Sequence, residues 1–213
     1  MSEEHRTVHP EGNGTTRESP MRTRARRTAA RTSTGLAVVA LMHIILAPNA
    51  AAKHGGSGIE PDNSGQYFQK YHLNSAANKA SNHGKAQLER TKISTHWTDK
   101  WTDVRLRDWW GNKGNADYFG WARCEKKNWW NGKCDKILVF FNEYRMNGRT
   151  AAQWRSLGCH EIGHTGNLGH RGPGSKPFCP DSNTNSCMQT YLTTSGWPQK
   201  LDNHDIKAVN AKL

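Results

Sequence analysis

Two histidines four residues apart constrain this chain more than any other feature of its sequence. His160 and His164 flank Glu161 in the stretch Cys-His-Glu-Ile-Gly-His that begins at Cys159. On an α-helix, residues four apart project from one face about one turn from each other, so both imidazoles can bind one metal ion. The spacing therefore predicts a helix here, with a metal site on one of its faces.

His170 is the candidate third ligand. If the helix continued that far, His170 would point away from the other two histidines, so the chain has to leave the helix before it. We expect the helix to end at Thr165 or Gly166. Asn167, the residue type that follows glycine in its tolerance of a positive φ, then adopts the left-handed conformation and lets His170 turn back. The alternative is that Gly166 supplies the turn and Asn167 stays extended.

Three imidazole ligands leave one coordination position open, which distinguishes a catalytic zinc from a structural one. A water in that position has its pKa lowered to about 7. Glu161 follows a ligand in sequence but points to a different side of the helix. It is the candidate general base that takes the proton of this water and passes it to a leaving amine. These residues predict zinc-dependent hydrolysis of an amide bond.

The pattern His-Glu-x-x-His-x-x-Asn-x-x-His resembles the long motif of the metzincin zinc peptidases, which has Gly where this chain has Asn167. Ser186-Cys187-Met188, which ends 18 residues after His170, is similar to the Met-turn of that family. In that turn Met188 would form an apolar floor beneath the metal. Over residues 100–213 the chain resembles small secreted matrixin-like proteins of actinobacteria.

The resemblance implies an α+β, zincin- or metzincin-like fold. Its upper part is a twisted β-sheet with two helices, and its lower, irregular subdomain holds the Met-turn and a C-terminal helix. Tyr191, three residues after Met188, is implied as an oxyanion stabiliser or a wall of the site, although related families place this tyrosine two residues after the methionine. An edge strand near the cleft would pair with an extended polypeptide substrate, and the stretch from Trp129 to Phe141 is the candidate.

Periodicity and capping residues predict three helices and three strands. Thr150 is a suitable N-cap for the metal helix, and Gly84 is a weak point within the first helix. The helices are expected over Ser75–Arg90, Ala151–Thr165 and Asn203–Lys212, and the strands over Ile93–Trp110, Tyr118–Cys124 and Lys136–Asn142.

The first part of the chain predicts export. Residues 1–20 are polar, lack an apolar period and are expected to be disordered. A basic run and then an apolar run of 13 residues over 35–47 predict a signal peptide, because the apolar run is too short to span a bilayer. Met21 is an alternative start to Met1, and cleavage is expected after Ala52. The alternative is a retained anchor or an amphipathic helix.

The predicted mature chain divides into a flexible lead over residues 53–69, rich in Gly and Pro, and a catalytic domain over residues 70–213. It has 23 Lys or Arg against 14 Asp or Glu. This positive charge favours solubility or association with an anionic cell wall, and no basic cluster is dense enough to predict nucleic-acid binding. We expect a secreted, extracellular monomer that acts on polypeptides, with no membrane contact after signal cleavage.

Five cysteines in an exported chain predict two disulfides and one unpaired thiol. Cys124 and Cys134 lie on either side of an Asn-Gly turn, which favours their pairing. A Cys159–Cys187 bond would tie the metal helix to the Met-turn and leave Cys179 unpaired. A Cys179–Cys187 bond is the alternative, and Cys159 as a fourth zinc ligand would close the open position.

The nine tryptophans are either core residues or a surface for sugars or peptides. Because neighbours on a strand face opposite ways, at most one of each pair Trp109–Trp110 and Trp129–Trp130 should lie in the core. Two other functions fit the same motif. The chain could be a zinc-binding cell-wall or carbohydrate-binding protein without peptidase activity, or a zinc hydrolase of another bond, such as an ester.

Overall fold

A five-stranded β-sheet with two long helices on one face forms the frame of the protein. The computed structural model describes residues 56–109, 118–172, 185–190 and 196–213. The strands are β1 (Gly65–Tyr71), β2 (Ser94–Trp97), β3 (Val104–Trp109), β4 (Gly120–Lys127) and β5 (Cys134–Asn142). The helices are α1 (Ser75–Leu88), α2 (Glu143–Met146), α3 (Ala151–Thr165) and α4 (Asn203–Asn210). This architecture confirms the α+β class expected from the sequence.

The sheet is mostly parallel, with one antiparallel strand at its edge. The strand order is β2-β1-β3-β5-β4, and only β4 runs antiparallel to its neighbour. Strand β5 is therefore hydrogen-bonded on both sides, so the prediction that the stretch from Trp129 to Phe141 supplies a free edge is wrong. Within the described sheet, β4 is the edge strand on the side of β5.

Alternate residues of the inner strands face the long helices and form the core. Phe68, Leu106 and Phe141 are fully buried in one apolar cluster with Leu157 and Ile162 of α3. Burying each such side chain contributes roughly 1.5–3 kcal/mol. The period-two burial of β3 and the apolar run of β5 explain why both strands were predicted from the sequence, and α3 packs over β5 and β4.

Helices α1 and α3 approach each other through two glycines. A Cβ atom on Gly84 would lie 2.2 Å from the carbonyl oxygen of Gly158, and one on Gly158 would lie 2.1 Å from that of Ala80. Backbone therefore packs directly on backbone at this crossing. Gly84, predicted to be a weak point of α1, is the residue that permits the contact.

The prediction of a flexible lead over residues 53–69 is wrong for residues 56–69. Ile59 is buried, Pro61 forms a β-bridge with Cys134, and β1 pairs with β2 on one side and β3 on the other. The Gly- and Pro-rich residues before β1 resemble a linker in composition. The alternation of buried residues that marks the strand covers only Gln66 and Phe68, which is why the strand was not predicted. The predicted domain boundary at residue 70 therefore falls inside β1.

One further expectation differs from the structure. The single strand expected over Ile93–Trp110 is two strands, β2 and β3, which pair with opposite sides of β1. Trp129 and Trp130 lie in the turn after β4 and are both exposed, which agrees with the expectation that at most one of them lies in the core. The predicted disordered start and signal peptide, and Trp110, lie outside the described residues. Among the helices that are described, none is long and apolar enough to cross a bilayer.

Candidate metal centre

Helix α3 carries two of the three predicted ligands, and its start is fixed by a capping box. The Thr150 side chain accepts a hydrogen bond from the backbone N–H of Gln153, and the Gln153 side chain accepts one from the backbone N–H of Thr150. Both predictions for this helix, its N-cap and its span, agree with the structure. His160 and His164 lie in its last two turns and are buried.

The end of α3 turns the chain back toward the histidines. Asn167 has a φ of 61°, and Gly166 is the C-cap. The Leu168 N–H donates to the carbonyl of Gly163 over 3.3 Å, and the Asn167 N–H donates to that of His164 over 3.0 Å. This pair of bonds is a Schellman motif with asparagine in the left-handed position. The expected left-handed Asn167 is therefore observed, and the extended alternative is excluded.

The three predicted ligand histidines converge on one point. The Nε2 atom of His160 lies 3.2 Å from Nε2 of His164 and 3.1 Å from Nε2 of His170. Two nitrogens bound to one tetrahedral zinc at about 2.05 Å lie roughly 3.3 Å apart. The spacing and the all-nitrogen donor set therefore fit a zinc ion.

Backbone carbonyls fix the tautomers of the two helical histidines. Nδ1 of His160 lies 2.7 Å from the carbonyl oxygen of Cys187, and Nδ1 of His164 lies 2.7 Å from that of Leu168. A carbonyl can only accept, so Nδ1 carries the proton in both rings and Nε2 presents its lone pair to the centre.

The lowered pKa values of two of the imidazoles, His160 and His170, favour their neutral, ligating form. Burial lowers the pKa of His160 well below its ordinary value, and the nearby His164 and His170 lower it further. The hydrogen bond to the Cys187 carbonyl acts in the opposite direction and raises this pKa. Burial also lowers the pKa of His170.

Glu161 lies beside the histidines with a carboxylate oxygen that nothing satisfies. The residue is buried, burial raises its pKa well above the ordinary value, and its Oε2 has no hydrogen-bond partner within the part of the chain that the structure describes. Gly120, at the start of β4, makes room for it, because a Cβ there would lie 2.8 Å from Oε1. Gly120 is a site residue that the sequence did not reveal, since its partner is distant in sequence.

The turn at Ser186-Cys187-Met188 lies against α3. Met188 is fully buried, and its Sδ would be 2.5 Å from a Cβ on Gly163, between the two helical histidines in sequence. The Ser186 hydroxyl accepts from the Met188 N–H, and Cys187 forms a disulfide with Cys159. Gly163 thus admits the methionine to the helix surface.

Both disulfides favoured by the sequence are present. Cys124 is bonded to Cys134, and Cys159 to Cys187. The second bond excludes the Cys179–Cys187 alternative and leaves no Cys159 thiolate to act as a fourth zinc ligand. Cys179 and Tyr191 lie outside the described residues.

A buried arginine, which the sequence did not identify, connects the third histidine to the turn and to α4. Arg171 follows His170, and its backbone pairs with that of Met188 and Thr190. Its guanidinium donates to Asp202 over 2.5 Å and to Asp205 over 3.3 Å. Asp205 also accepts from the Ser186 hydroxyl. Arg171 lies more than thirty residues from both aspartates in sequence, so no local pattern could predict these ion pairs.

The histidines and Glu161 open onto a cleft of about 880 Å³. Its walls come from the segment before β1, from the start of β4, and from α2 and the residues after it. They include Ser57, Ile59, Phe119, Gly120, Trp121, Ala122, Arg145 and Arg149. The Ser57 hydroxyl donates to the carbonyl of His164 over 2.9 Å, which holds the segment before β1 beside the metal helix.

No protein-family model matches the chain, and no curated protein matches it either. Among solved structures, a myroilysin structure is 11% identical over 72% of this chain and 94% of its own, with a TM-score of 0.48. A second, crystal structure of myroilysin is 9% identical over 72% and 85%, with a TM-score of 0.45. Archaemetzincin from Archaeoglobus fulgidus, complexed with malonate, is 14% identical over 70% and 99%, with a TM-score of 0.40. Likenesses this low do not assign a family, so the functional argument rests on the site itself.

Proposed function

We propose that this protein is a secreted, metzincin-like zinc endopeptidase. One observation carries the proposal. Three imidazoles converge beside a buried carboxylate oxygen that has no partner among the described residues, at the base of an open cleft. A structural metal site needs neither the open cleft nor the unsatisfied carboxylate, whereas hydrolysis needs both.

His160, His164 and His170 would hold the ion. Zinc bound there would polarise a substrate carbonyl and supply an activated water. Glu161 would accept a proton at its unpartnered Oε2 and release it to the leaving amine nitrogen. Met188, packed against Gly163, would keep the metal helix in place from below, and Tyr191 remains a proposed wall or oxyanion residue.

The edge of β4 that is unpaired within the described sheet supports a polypeptide substrate. Gly120, Trp121 and Ala122 line the cleft, and β4 pairs on its other side with β5. An extended peptide could therefore add to this edge as a further strand, with its scissile bond beside Glu161. A small ester would not use such an edge.

Secretion and monomeric state belong to the same proposal. The predicted signal peptide supports export, and two disulfides are typical of oxidising compartments. The matrixin-like resemblance of residues 100–213, association with anionic cell walls and the absence of nucleic-acid binding are parts of the proposal that derive from the sequence.

The test compares casein and a mixed peptide library with ester and carbohydrate substrates, with and without a zinc chelator. Glu161→Gln should keep one zinc per chain and lose at least about 10²-fold in turnover, the scale of a lost general base. Glu125→Gln, an exposed acid of β4, is the matched control and should keep full turnover.

The other outcomes separate the alternatives. Full turnover by Glu161→Gln would remove that residue from the mechanism. Ester hydrolysis without peptide cleavage would favour a hydrolase of another bond, and zinc binding without any hydrolysis would favour a wall- or carbohydrate-binding protein. X-ray absorption showing zinc–sulfur bonds at about 2.3 Å would contradict the three-histidine site.

A further inference from the structure

The face of the sheet opposite α1 and α3 carries a group of cations that lie over aromatic side chains. In β3, Val104 and Leu106 are buried toward the helices, so Arg105 and Arg107 point to the other side. The register places Arg105 opposite Leu138, next to Lys136, and Arg123 opposite the same Leu138 on β4. We call the surface formed by Arg105, Arg107, Arg123 and Lys136 the outer face.

Aromatic rings hold these cations in place. Arg105 lies 4.2 Å from the ring centroid of Trp101 and 4.9 Å from that of Tyr71. Arg107 lies 5.7 Å from the Tyr71 centroid and 5.6 Å from that of Phe140. Arg123 and Lys136 extend the series over Phe140 and Trp101. Such contacts are worth about 0.5–1 kcal/mol each at exposed sites, so together they order the long side chains before any ligand arrives.

The charges of the outer face are mostly not neutralised. Arg105 donates to the neutral Gln69 side chain, and Nε of Arg107 is buried without a hydrogen-bond partner. Among the described residues, Arg105, Arg107 and Lys136 form no ion pair with a carboxylate, whereas Arg123 pairs with Glu125. Ordered cations without counter-charges are the arrangement that an anionic ligand requires.

We propose that the outer face binds an extended anionic polysaccharide that carries carboxylate, sulfate or phosphate groups. Arg105 and Arg107 are two residues apart on one strand, which spaces their backbone positions by about 6.7 Å, and the other cations continue the row onto β5 and β4. The charges therefore form a track across strands, which suits a polymer better than a single small anion. This inference is independent of the proposed peptidase function.

Single-stranded nucleic acid fits the same charges less well. Binding single strands relies on stacking each base on a free aromatic ring. Here the rings of Tyr71, Trp101 and Phe140 already have cations over them, and Phe140 is also stacked with Trp121 at 4.5 Å. A polymer recognised through its charges alone does not need these ring faces.

The test measures the affinity for immobilised heparin, an anionic polysaccharide, against salt concentration. The variant Arg105→Gln/Arg107→Gln/Lys136→Gln removes the cations without carboxylate partners. The control Lys79→Gln/Lys92→Gln/Lys207→Gln removes the same charge from exposed positions on α1, before β2 and on α4. We expect the first variant to lose at least tenfold in affinity, with the slope of log affinity against log salt reduced by roughly two to three, and the control to change far less.

Equal losses in both variants would show that only net charge matters and would overturn the proposal. Tighter binding of single-stranded DNA than of heparin by the parent would replace the polysaccharide with a nucleic acid. Because the triple variant removes packing as well as charge, Arg107→Lys and Arg107→Gln are measured alongside it. Arg107→Lys should keep the salt slope and Arg107→Gln should lower it, and identical slopes for the two would also contradict the outer-face site.

Discussion

At the scale of single residues, Asn167 determines whether the third histidine reaches the metal. Its φ of 61° is accessible to glycine and asparagine and is strained for a β-branched residue. Asn167→Gly should therefore bind zinc as the parent does, whereas Asn167→Val should lose about tenfold in zinc affinity. Competition with a chelating dye measures both variants. A Val variant as tight as the parent would show that the His170 turn does not depend on this conformation.

The raised pKa of Asp108, a residue of β3, makes the stability of the protein depend on pH. Burial raises its pKa to about 8, a hydrogen bond to Glu143 and the charge of that residue raise it too, and the Asn74 N–H lowers it. A carboxyl ordinarily titrates near 4, so between about pH 4 and 8 the folded state holds a proton that the unfolded state releases. The stability of the protein should therefore fall as the pH rises through this window.

Asp108→Asn should remove this dependence, because an amide does not ionise. In zinc-free protein the free energy of unfolding of the variant should equal that of the parent near pH 4. Near pH 8 it should exceed that of the parent by on the order of 1 kcal/mol, a figure reduced because the carboxyl is only half-buried. Thermal unfolding across this range measures the difference. A constant gap between the two proteins at all pH values would contradict the titration argument.

At the scale of residues, the sequence predicts contacts between residues that are near each other in the chain. His160, His164 and His170 fall within eleven residues, so helical spacing and one turn determine their convergence. The room that Gly120 leaves for Glu161 and the bond from Arg171 to Asp205 join distant segments. Nothing in the local pattern of either partner records such a contact, which is why both were missed.

At the scale of elements, the crossing of α1 and α3 positions the metal helix. Gly158→Ala would place a methyl group against the Ala80 carbonyl and force the helices apart. We expect a loss of about 1–3 kcal/mol, as for other overpacked cores, together with weaker zinc binding, because His160 lies two residues further along α3.

The matched control for this change is Gly65→Ala. A Cβ at Gly65 would meet its nearest atoms at 3.6 Å and 3.7 Å, which is ordinary contact. Chemical denaturation of the two variants gives the comparison. If Gly158→Ala and Gly65→Ala lose the same stability, the close packing of α1 on α3 does not account for the loss.

The elements also show where prediction from sequence fails. Helix α3 has a capping box and two histidines at helical spacing, and β5 has a run of apolar residues, so both are evident. Strand β1 was missed because its burial alternates over only two residues, Gln66 and Phe68, and one of them is a glutamine whose amide donates to the Thr165 carbonyl. A buried glutamine that satisfies a helix end cannot be distinguished in sequence from a glutamine in a linker.

At the scale of the whole molecule, the two disulfides have different tasks. Cys159–Cys187 spans 28 residues and Cys124–Cys134 spans 10. By loop-closure entropy, removing them as alanine pairs should cost about 3.6 and about 2.7 kcal/mol respectively. Only the first bond joins α3 to the turn at Met188, so only its removal should also weaken zinc binding. Calorimetric zinc titration of the two double variants tests this, and equal zinc affinities would contradict it.

Arg171 connects the far end of the chain to the proposed metal site. Its side chain holds Asp202 and Asp205, the N-cap and first turn of α4, while its neighbour in sequence is the proposed ligand His170. A metal ion that binds His170 stabilises the folded conformation of the residues around it. Because Arg171 connects His170 to α4, metal binding should also stabilise α4 and protect its amides from exchange. Chelation should therefore accelerate amide hydrogen exchange in α4 earlier and more strongly than in β1 or β3. Uniform acceleration across all of these elements would mean that the metal stabilises only the global fold. Faster exchange confined to α4 would mean that the last helix reports, from outside the cleft, whether the site is loaded.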